Sequence, residues 1–297
     1  MKHLTIAFIG LGRMGSGIAR NVQASGCKLV VSNRTPEKTA PFVAAGAKAE
    51  ATPCAAARGA DIVITSLMDD QSVFDTLQGG NGILAGMSPG AIHIGTSTIS
   101  PEASVRLARL HQQHGSHYLA APVLGRPDAA AAGKLFTLVA GPAEIIERAR
   151  PILETYTQRI IPLGDDPAAA PSLKLASNFL AASLLEVIGQ AFAFAEKRGV
   201  LDPMAAMVKM FLPMNEYVDR IAQRNFEQPG FTLDAGMKDV GLILAAAQEA
   251  NVPLPFASVI RDKCIAARAH GLAQHDWCAF TVIARLEAGL ALAAARA

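Results

Sequence analysis

The stretch Phe8-Ile9-Gly10-Leu11-Gly12-Arg13-Met14-Gly15-Ser16-Gly17 limits what this chain can fold into more than any other. An apolar run of strand length, Leu4, Ile6, Phe8 and Ile9, precedes it. Ile18, Ala19, Val22 and Gln23 follow at helical spacing. The G-x-G-x-x-G pattern of Gly10, Gly12 and Gly15 therefore stands where a strand turns into a helix, the context that gives such a motif its meaning. The first glycine permits the tight turn, the second lets backbone approach a pyrophosphate, and the third lets helix and strand pack closely. The helix N-terminus adds free N–H groups and partial positive charge for the phosphates. A dinucleotide site is expected, lined by Gly10, Leu11, Gly12, Arg13, Met14 and Gly15.

A second strand is predicted over Lys28–Ser32, ending in Asn33-Arg34-Thr35 before Pro36 opens another helix. In a turn of this kind the end of the second strand faces the adenosine ribose. An acid there suits NAD, whereas a nearby arginine accommodates the 2′-phosphate of NADP. The acid is absent and Arg34 is present, with Thr35 and Lys38 beside it, which points to NADP(H); a solvated loop arginine is the other reading of Arg34. Strands are expected at Asp61–Ser66, Ala91–Ile94, Ser116–Ala121, Leu135–Ala140 and Arg159–Pro162. Helices are expected after Asp69-Asp70, over Pro101–His114 and over Pro142–Tyr156. Such alternation implies a mostly parallel, doubly wound sheet with helices on both faces. Ligands of these sheets bind beyond the carboxyl ends of the strands, at the glycine loop, 33–35, Ser66–Asp69 with Leu67 and Met68, Thr96–Thr98, and Ala121–Arg126.

From about Pro167 the strand signals stop. Helices are predicted over Ala168–Lys197, Pro203–Phe211, Asn215–Gln223, Leu233–Glu249, Phe256–Ala269 and Asp276–Ala295. The expected organisation is an α/β domain over 1–166 and an all-α domain over 167–297, joined by a long helix. With 297 residues, half of them apolar, and a net charge of +2, the chain can bury a large core and carries no basic stripe for nucleic acid. No charged-then-apolar leader is seen at the N-terminus. The longest apolar stretch, Asn178–Ala195, is interrupted by Glu186 and Gln190, so no membrane span is expected. Cys27, Cys54, Cys264 and Cys278 are scattered and read as buried or free thiols in a reducing cytoplasm. The helical half, with Phe192, Phe194, Met207, Met210 and Phe211, is more apolar than one small domain requires, which points to a homodimer or larger homo-oligomer.

Lys174 and Asn178, four apart at the start of the long helix, lie on one helical face. A lysine can donate a proton and an asparagine can orient an oxygen, and partial burial would bring the lysine toward the range of a general acid. Spacing alone also fits a lysine on a solvated face. Taken with Ile9-Gly10-Leu11-Gly12-Arg13-Met14-Gly15, Asn33-Arg34-Thr35 and Ala121-Pro122-Val123, the Lys174-x-x-x-Asn178 pair makes the chain resemble the β-hydroxyacid dehydrogenases, relatives of 6-phosphogluconate dehydrogenase, from about residue 4 to residue 290. The resemblance implies a Rossmann-type N-terminal domain, Lys174 as general acid/base, Asn178 placing substrate, NADPH on the glycine loop and 33–35, Thr98 beside the nicotinamide, and the Lys238-Asp239 pair closing over the cofactor.

The departures from the family pattern are equally specific. The substrate loop of the family continues Pro-Val-Ser-Gly-Gly; here it reads Pro122-Val123-Leu124-Gly125-Arg126-Pro127. Leu124 cannot donate the serine's hydrogen bond to a substrate carboxylate, a task Arg126 could assume. Asp166-Pro167-Ala168-Ala169-Ala170 replaces the glycines expected before the lysine. The pattern is similar to a branch near the imine reductases, which usually lack the lysine; its retention favours carbonyl chemistry. Three functions are expected in this order: NADPH-dependent reduction of a small aldehyde, semialdehyde or ketone (or oxidation of its hydroxyacid), reduction of an imine, and NADP binding without catalysis. The resemblance also implies Asp239 near the substrate and a C-terminal tail that approaches the partner subunit's cleft, where Asp276 and Trp277 would shape the substrate pocket, although Asp276 as a helix cap followed by a packed Trp277 fits as well. His111, His114 and His117 are expected on a helix surface and a strand start and to hold no metal. Asp69-Asp70 and Asp165-Asp166 read as helix-start and loop residues.

Overall fold

The computed structural model describes residues 3–212 and 214–291, which fall into two compact units dividing after Lys174. In the first, strands β1 (Thr5–Ile9), β2 (Lys28–Ser32), β3 (Lys48–Ala49), β4 (Ile62–Thr65), β5 (Ile92–Gly95) and β6 (His117–Ala120) form one sheet in the order β3-β2-β1-β4-β5-β6. Every pairing in it is parallel. A parallel sheet needs cover on both faces, and the residues of β1 alternate accordingly. Ile6 and Phe8 join Ile18, Val22, Val31 and Ile64 on one side, while Ala7 and Ile9 join Val63, Val73, Leu77 and Leu107 on the other. The strand order reverses between β1 and β4, and the crevice outside their carboxyl ends is where such a sheet binds ligands.

The strands expected at 135–140 and 159–162 do not extend this sheet. β7 (Val123–Leu124), β8 (Leu135–Val139) and β9 (Thr157–Pro162) form a separate three-stranded sheet, with β7 antiparallel and β9 parallel to β8. Pro122, which has no N–H, cannot continue the β6 ladder. Its carbonyl instead accepts from Leu138 N–H at 3.0 Å, and Ala120 and Ala140 bridge antiparallel. The strands β3 and β7 and the short helices Pro53–Ala57, Ile83–Gly86 and Pro127–Ala131 are too brief to carry a periodic signal in the sequence.

The helix Pro101–His114 differs from expectation at one residue. His111 is not on its surface: with Ala103 and Leu107 it lies on the buried side, fully enclosed. His93 on β5, equally buried, bonds through Nε2 to Thr65 Oγ1 and through Nδ1 to His111 Nε2, both at 2.9 Å. His111 Nδ1 continues to Ser116 Oγ at 2.8 Å. Burial holds both imidazoles neutral, pushing His93 down to about 3 and His111 to about 2. Among the described residues no group of three metal-ligating side chains occurs, and the four cysteines are free and buried.

The second unit is helical. It opens within the helix Ala169–Lys197, from Leu175 onward, and continues with Leu201–Phe211, Asn215–Gln223, Leu233–Glu249 and Pro255–Ala269. The predicted helix over 276–295 is instead a 3-10 turn, Trp277–Thr281, followed by the helix Val282–Glu287; residues 292–295 lie outside the described residues. Leu185, Ile188 and Phe192 pack against Val218, Ile221, Leu233, Val240, Ile260 and Phe280. By length and composition alone the 29-residue helix Ala169–Lys197 is long and apolar enough to cross a membrane. Its fully buried Glu186, facing Lys263 at 3.8 Å, and its packed Leu185, Ile188 and Phe192 are features of a core helix. Burial raises the Glu186 carboxyl above its ordinary range.

Candidate active site

The glycine loop is built by close packing. Gly10 has a φ of +97°, open to glycine at little cost, and a Cβ there would stand 2.3 Å from the Ser66 carbonyl oxygen. A Cβ on Gly15 would stand 2.1 Å from the Gly10 carbonyl oxygen, whereas one on Gly12 would meet nothing within 4 Å. The first and third glycines are thus consumed by the turn and the helix contact. The second faces open space at the N-terminus of the helix Arg13–Ala24, where Arg13 is exposed and Met14 half-buried. The residues fit a dinucleotide pyrophosphate: an exposed backbone cradle with helix N–H groups behind it. Gly17, outside the motif, has a separate task. A Cβ there would lie 2.8 Å from the Ala131 amide nitrogen, so the glycine seats this helix on Pro127–Ala131.

At the end of β2, Arg34, Thr35 and Lys38 are exposed. Asn33 behaves otherwise: its Oδ1 accepts from Leu11 N–H at 2.8 Å and its Nδ2 donates to the Thr35 carbonyl at 2.9 Å. At the end of β4, Leu67 is held by its N–H donating to Ser97 Oγ at 2.8 Å, and Met68 is exposed. The sequence offered no reason to single out Ser97. Thr98 is half-buried beside it. Asp69 caps the helix Asp70–Leu77 through Ser72 N–H, Asp70 accepts from the Ser100 N–H and hydroxyl, and Asp166 accepts from Ala168 N–H, all structural uses.

In the loop after β6, Pro122 and Val123 are buried, and Leu124 packs with the core behind the sheet. Gly125 is exposed at a φ of +134°, and Arg126 is half-buried with its Nε 4.0 Å from Asp128. Lys174 and Asn178, both half-buried, stand one turn apart on the helix Ala169–Lys197. In the helical unit Asn178 Nδ2 donates to Asp239 Oδ2 at 2.6 Å, and Lys238 Nζ lies 2.5 Å from Asp239 Oδ1. Asp239, expected to touch substrate, is 2 % exposed and engaged on both oxygens by these partners. Trp277, expected at the substrate, packs in the helical core against Phe231 and Phe280, and its indole N–H donates to the Tyr217 hydroxyl at 3.0 Å. Asp276 caps the turn after it, accepting from Cys278 N–H and Gly230 N–H.

Both units match known protein families. Residues 5–164 match the NAD binding domain of 6-phosphogluconate dehydrogenase, and residues 168–283 match the family described as NAD-binding of NADP-dependent 3-hydroxyisobutyrate dehydrogenase. An uncharacterized oxidoreductase of Bacillus subtilis, YfjR, is 42% identical over 93% of this chain and 98% of its own. A 3-sulfolactaldehyde reductase of Escherichia coli is 32% identical over 96% and 97%. The crystal structure of a 3-hydroxyisobutyrate dehydrogenase from Salmonella typhimurium superposes with a TM-score of 0.85 at 26% identity, covering 94% of this chain and 99% of that one. An imine reductase from Myxococcus stipitatus shares the fold with a TM-score of 0.65 at 24% identity, over 93% and 98% of the two chains. With an NAD(P)-binding turn at its front, a helical second unit and full-length relatives named as oxidoreductases, this chain is an oxidoreductase of the β-hydroxyacid dehydrogenase family.

Proposed function

We propose that the chain reduces a small aldehyde or semialdehyde with NADPH, Lys174 being the general acid in that direction and the general base in reverse. The observation that carries this reading is the fixed amide of Asn178. Its bond to the buried Asp239 turns Nδ2 inward and leaves Oδ1 to orient a hydroxyl or an ammonium one turn from Lys174. NADPH, when bound, supplies the hydride to the carbonyl carbon. Lys174 Nζ delivers a proton to the carbonyl oxygen as negative charge builds there. Exposed Arg34, with no acid at the end of β2, favours the 2′-phosphate through a charge-assisted fork. Arg126 is the basic group in a loop that lacks the serine, and suits an acidic substrate head such as that of the sulfolactaldehyde on which the Escherichia coli relative is named to act. Leu124, which has no donor, favours a second reading, an apolar imine.

Lys174→Ala tests both. Carbonyl turnover should fall by about 10²–10⁴, the usual worth of a positioned acid, with NADPH affinity unchanged. Unchanged carbonyl reduction by this variant would refute the assignment, and a parent protein that turns over an imine faster than any aldehyde, with that activity retained in the variant, would favour the second reading.

The proposed assembly is a homodimer through the helical half. Leu173, Leu180, Val187 and Phe194 recur every seven residues along one helix, 38%, 61%, 54% and 67% exposed. Met207, Met210 and Phe211 are also exposed on the next helix, at 45%, 80% and 73%. A heptad-spaced apolar stripe is what a helix presents to another helix, and a second copy of this chain is the occupant proposed. Phe192, expected in this surface, is 3% exposed and belongs to the core.

A further inference from the structure

The two halves of a dinucleotide site are usually credited to separate loops, one for the pyrophosphate and one for the adenosine end. Here a single side chain joins them. Gly10 N–H donates to the Ser32 carbonyl at 3.1 Å, and the next amide, Leu11 N–H, donates to Asn33 Oδ1 at 2.8 Å. Successive amides of the glycine loop are thus tied to successive residues at the end of β2. Leu11 is 2 % exposed, so without Asn33 its N–H would be a donor shut away from water. The other end of the same amide closes over Arg34, Nδ2 donating to the Thr35 carbonyl at 2.9 Å. Thr35 leads into the 3-10 turn Pro36–Thr39, which carries Lys38. Asparagine suits this place because it offers an acceptor and a donor from one short, planar group. Aspartate would keep the first bond and lose the second; alanine would lose both.

We infer that Asn33 is a positioning residue that clamps the adenosine loop to the pyrophosphate loop, and that its effect on binding does not run through the 2′-phosphate. The inference rests on the chain binding a nicotinamide dinucleotide. It departs from the expectation that Asn33, Arg34 and Thr35 act alike as cofactor ligands. A clamp shapes the loop that every dinucleotide uses, whereas a phosphate ligand serves only the phosphorylated form. Removing the two therefore leaves different signatures.

The test is calorimetric binding of ADP-ribose and 2′-phospho-ADP-ribose to the full chain and to Asn33→Ala, Asn33→Asp and Arg34→Ala. Both ligands carry the pyrophosphate and differ only at the 2′ position. Asn33→Ala should weaken both by the same factor, about tenfold, because either ligand must then order a loop that the clamp no longer holds in place. Arg34→Ala should weaken only the phosphorylated ligand. Asn33→Asp keeps an acceptor for Leu11 N–H, so it should retain ADP-ribose within about threefold and lose the phosphorylated ligand to charge repulsion. Asn33→Ala binding ADP-ribose normally would overturn the inference. So would Asn33→Asp losing ADP-ribose as fully as Asn33→Ala. If instead Arg34→Ala leaves the ratio of the two ligands unchanged, the NADP preference falls, while the ADP-ribose measurements still decide the role of Asn33.

Discussion

The buried imidazole pair makes the stability of the first unit depend on pH in a window where few other groups titrate. His93 and His111 are held neutral, at about 3 and about 2, against an unfolded value of 6.5. Below pH 6.5 the unfolded chain therefore binds protons that the folded chain refuses, and stability falls as pH falls. At about pH 4.5 both folded values still lie lower, so the loss is set by the unfolded value alone. Two pH units cost about 2.7 kcal/mol for each histidine, or about 5 kcal/mol for the pair. That is a large share of the roughly 5–15 kcal/mol by which a domain is stable. The assay is urea unfolding, followed by far-ultraviolet circular dichroism, between about pH 7.5 and pH 4.5. The double variant His93→Leu, His111→Leu is the comparison. It should be less stable at neutral pH, because Thr65 and Ser116 lose partners. Its stability should nevertheless fall by about 5 kcal/mol less than that of the parent across the window. Equal slopes in the two proteins would refute the argument that these side chains stay neutral in the fold.

Three further outcomes are expected. Gly15→Ala should lower the melting temperature by several degrees, since its Cβ would stand 2.1 Å from a backbone oxygen; Gly12→Ala, with nothing within 4 Å, should melt normally yet bind NADPH at least about tenfold more weakly. Asn178→Ala should reduce turnover less than Lys174→Ala does, because it orients and carries no proton; steady-state kinetics on one aldehyde will rank the two. Leu180→Glu with Phe194→Glu should give a monomer by light scattering at micromolar concentration, and an unchanged dimer mass would move the interface off this helix.

Much of the architecture was legible because its signals are local. The glycine turn needs only a few consecutive residues to specify a strand, a turn of positive φ and a helix start. The long helices announce themselves by apolar spacing, and β1, β2, β4, β5 and β6 are apolar runs bounded by turns. His111 was legible in principle too: it follows Ala103 and Leu107 at intervals of four, the buried side of its helix. The chemical identity of histidine obscured that pattern. The second sheet was not legible, because whether a strand extends a sheet or begins another depends on the edge it meets. At that point the edge was closed by a proline and by an antiparallel return.

The sequence by itself determined the dinucleotide turn, the α/β-then-helical order, the candidate pair Lys174 and Asn178 on one helical turn, and the basic character of the loop at Arg34. The turn, the pair and the loop are each properties of residues within a few positions of one another, and the order is the succession of such local signals along the chain. Only the tertiary structure decided what the polar side chains do. Asn33 closes on Leu11, 22 residues away. His93 finds His111 across 18 residues, and Asn178 finds Asp239 across 61. These partnerships arise because a buried donor or acceptor must be satisfied by whatever the fold brings to it. The fold brings together residues whose separation in the chain carries no periodic or spacing signal. For the same reason Trp277, which the family resemblance put near a substrate and which fitted a packed residue equally well, is a core residue with its one polar atom already taken.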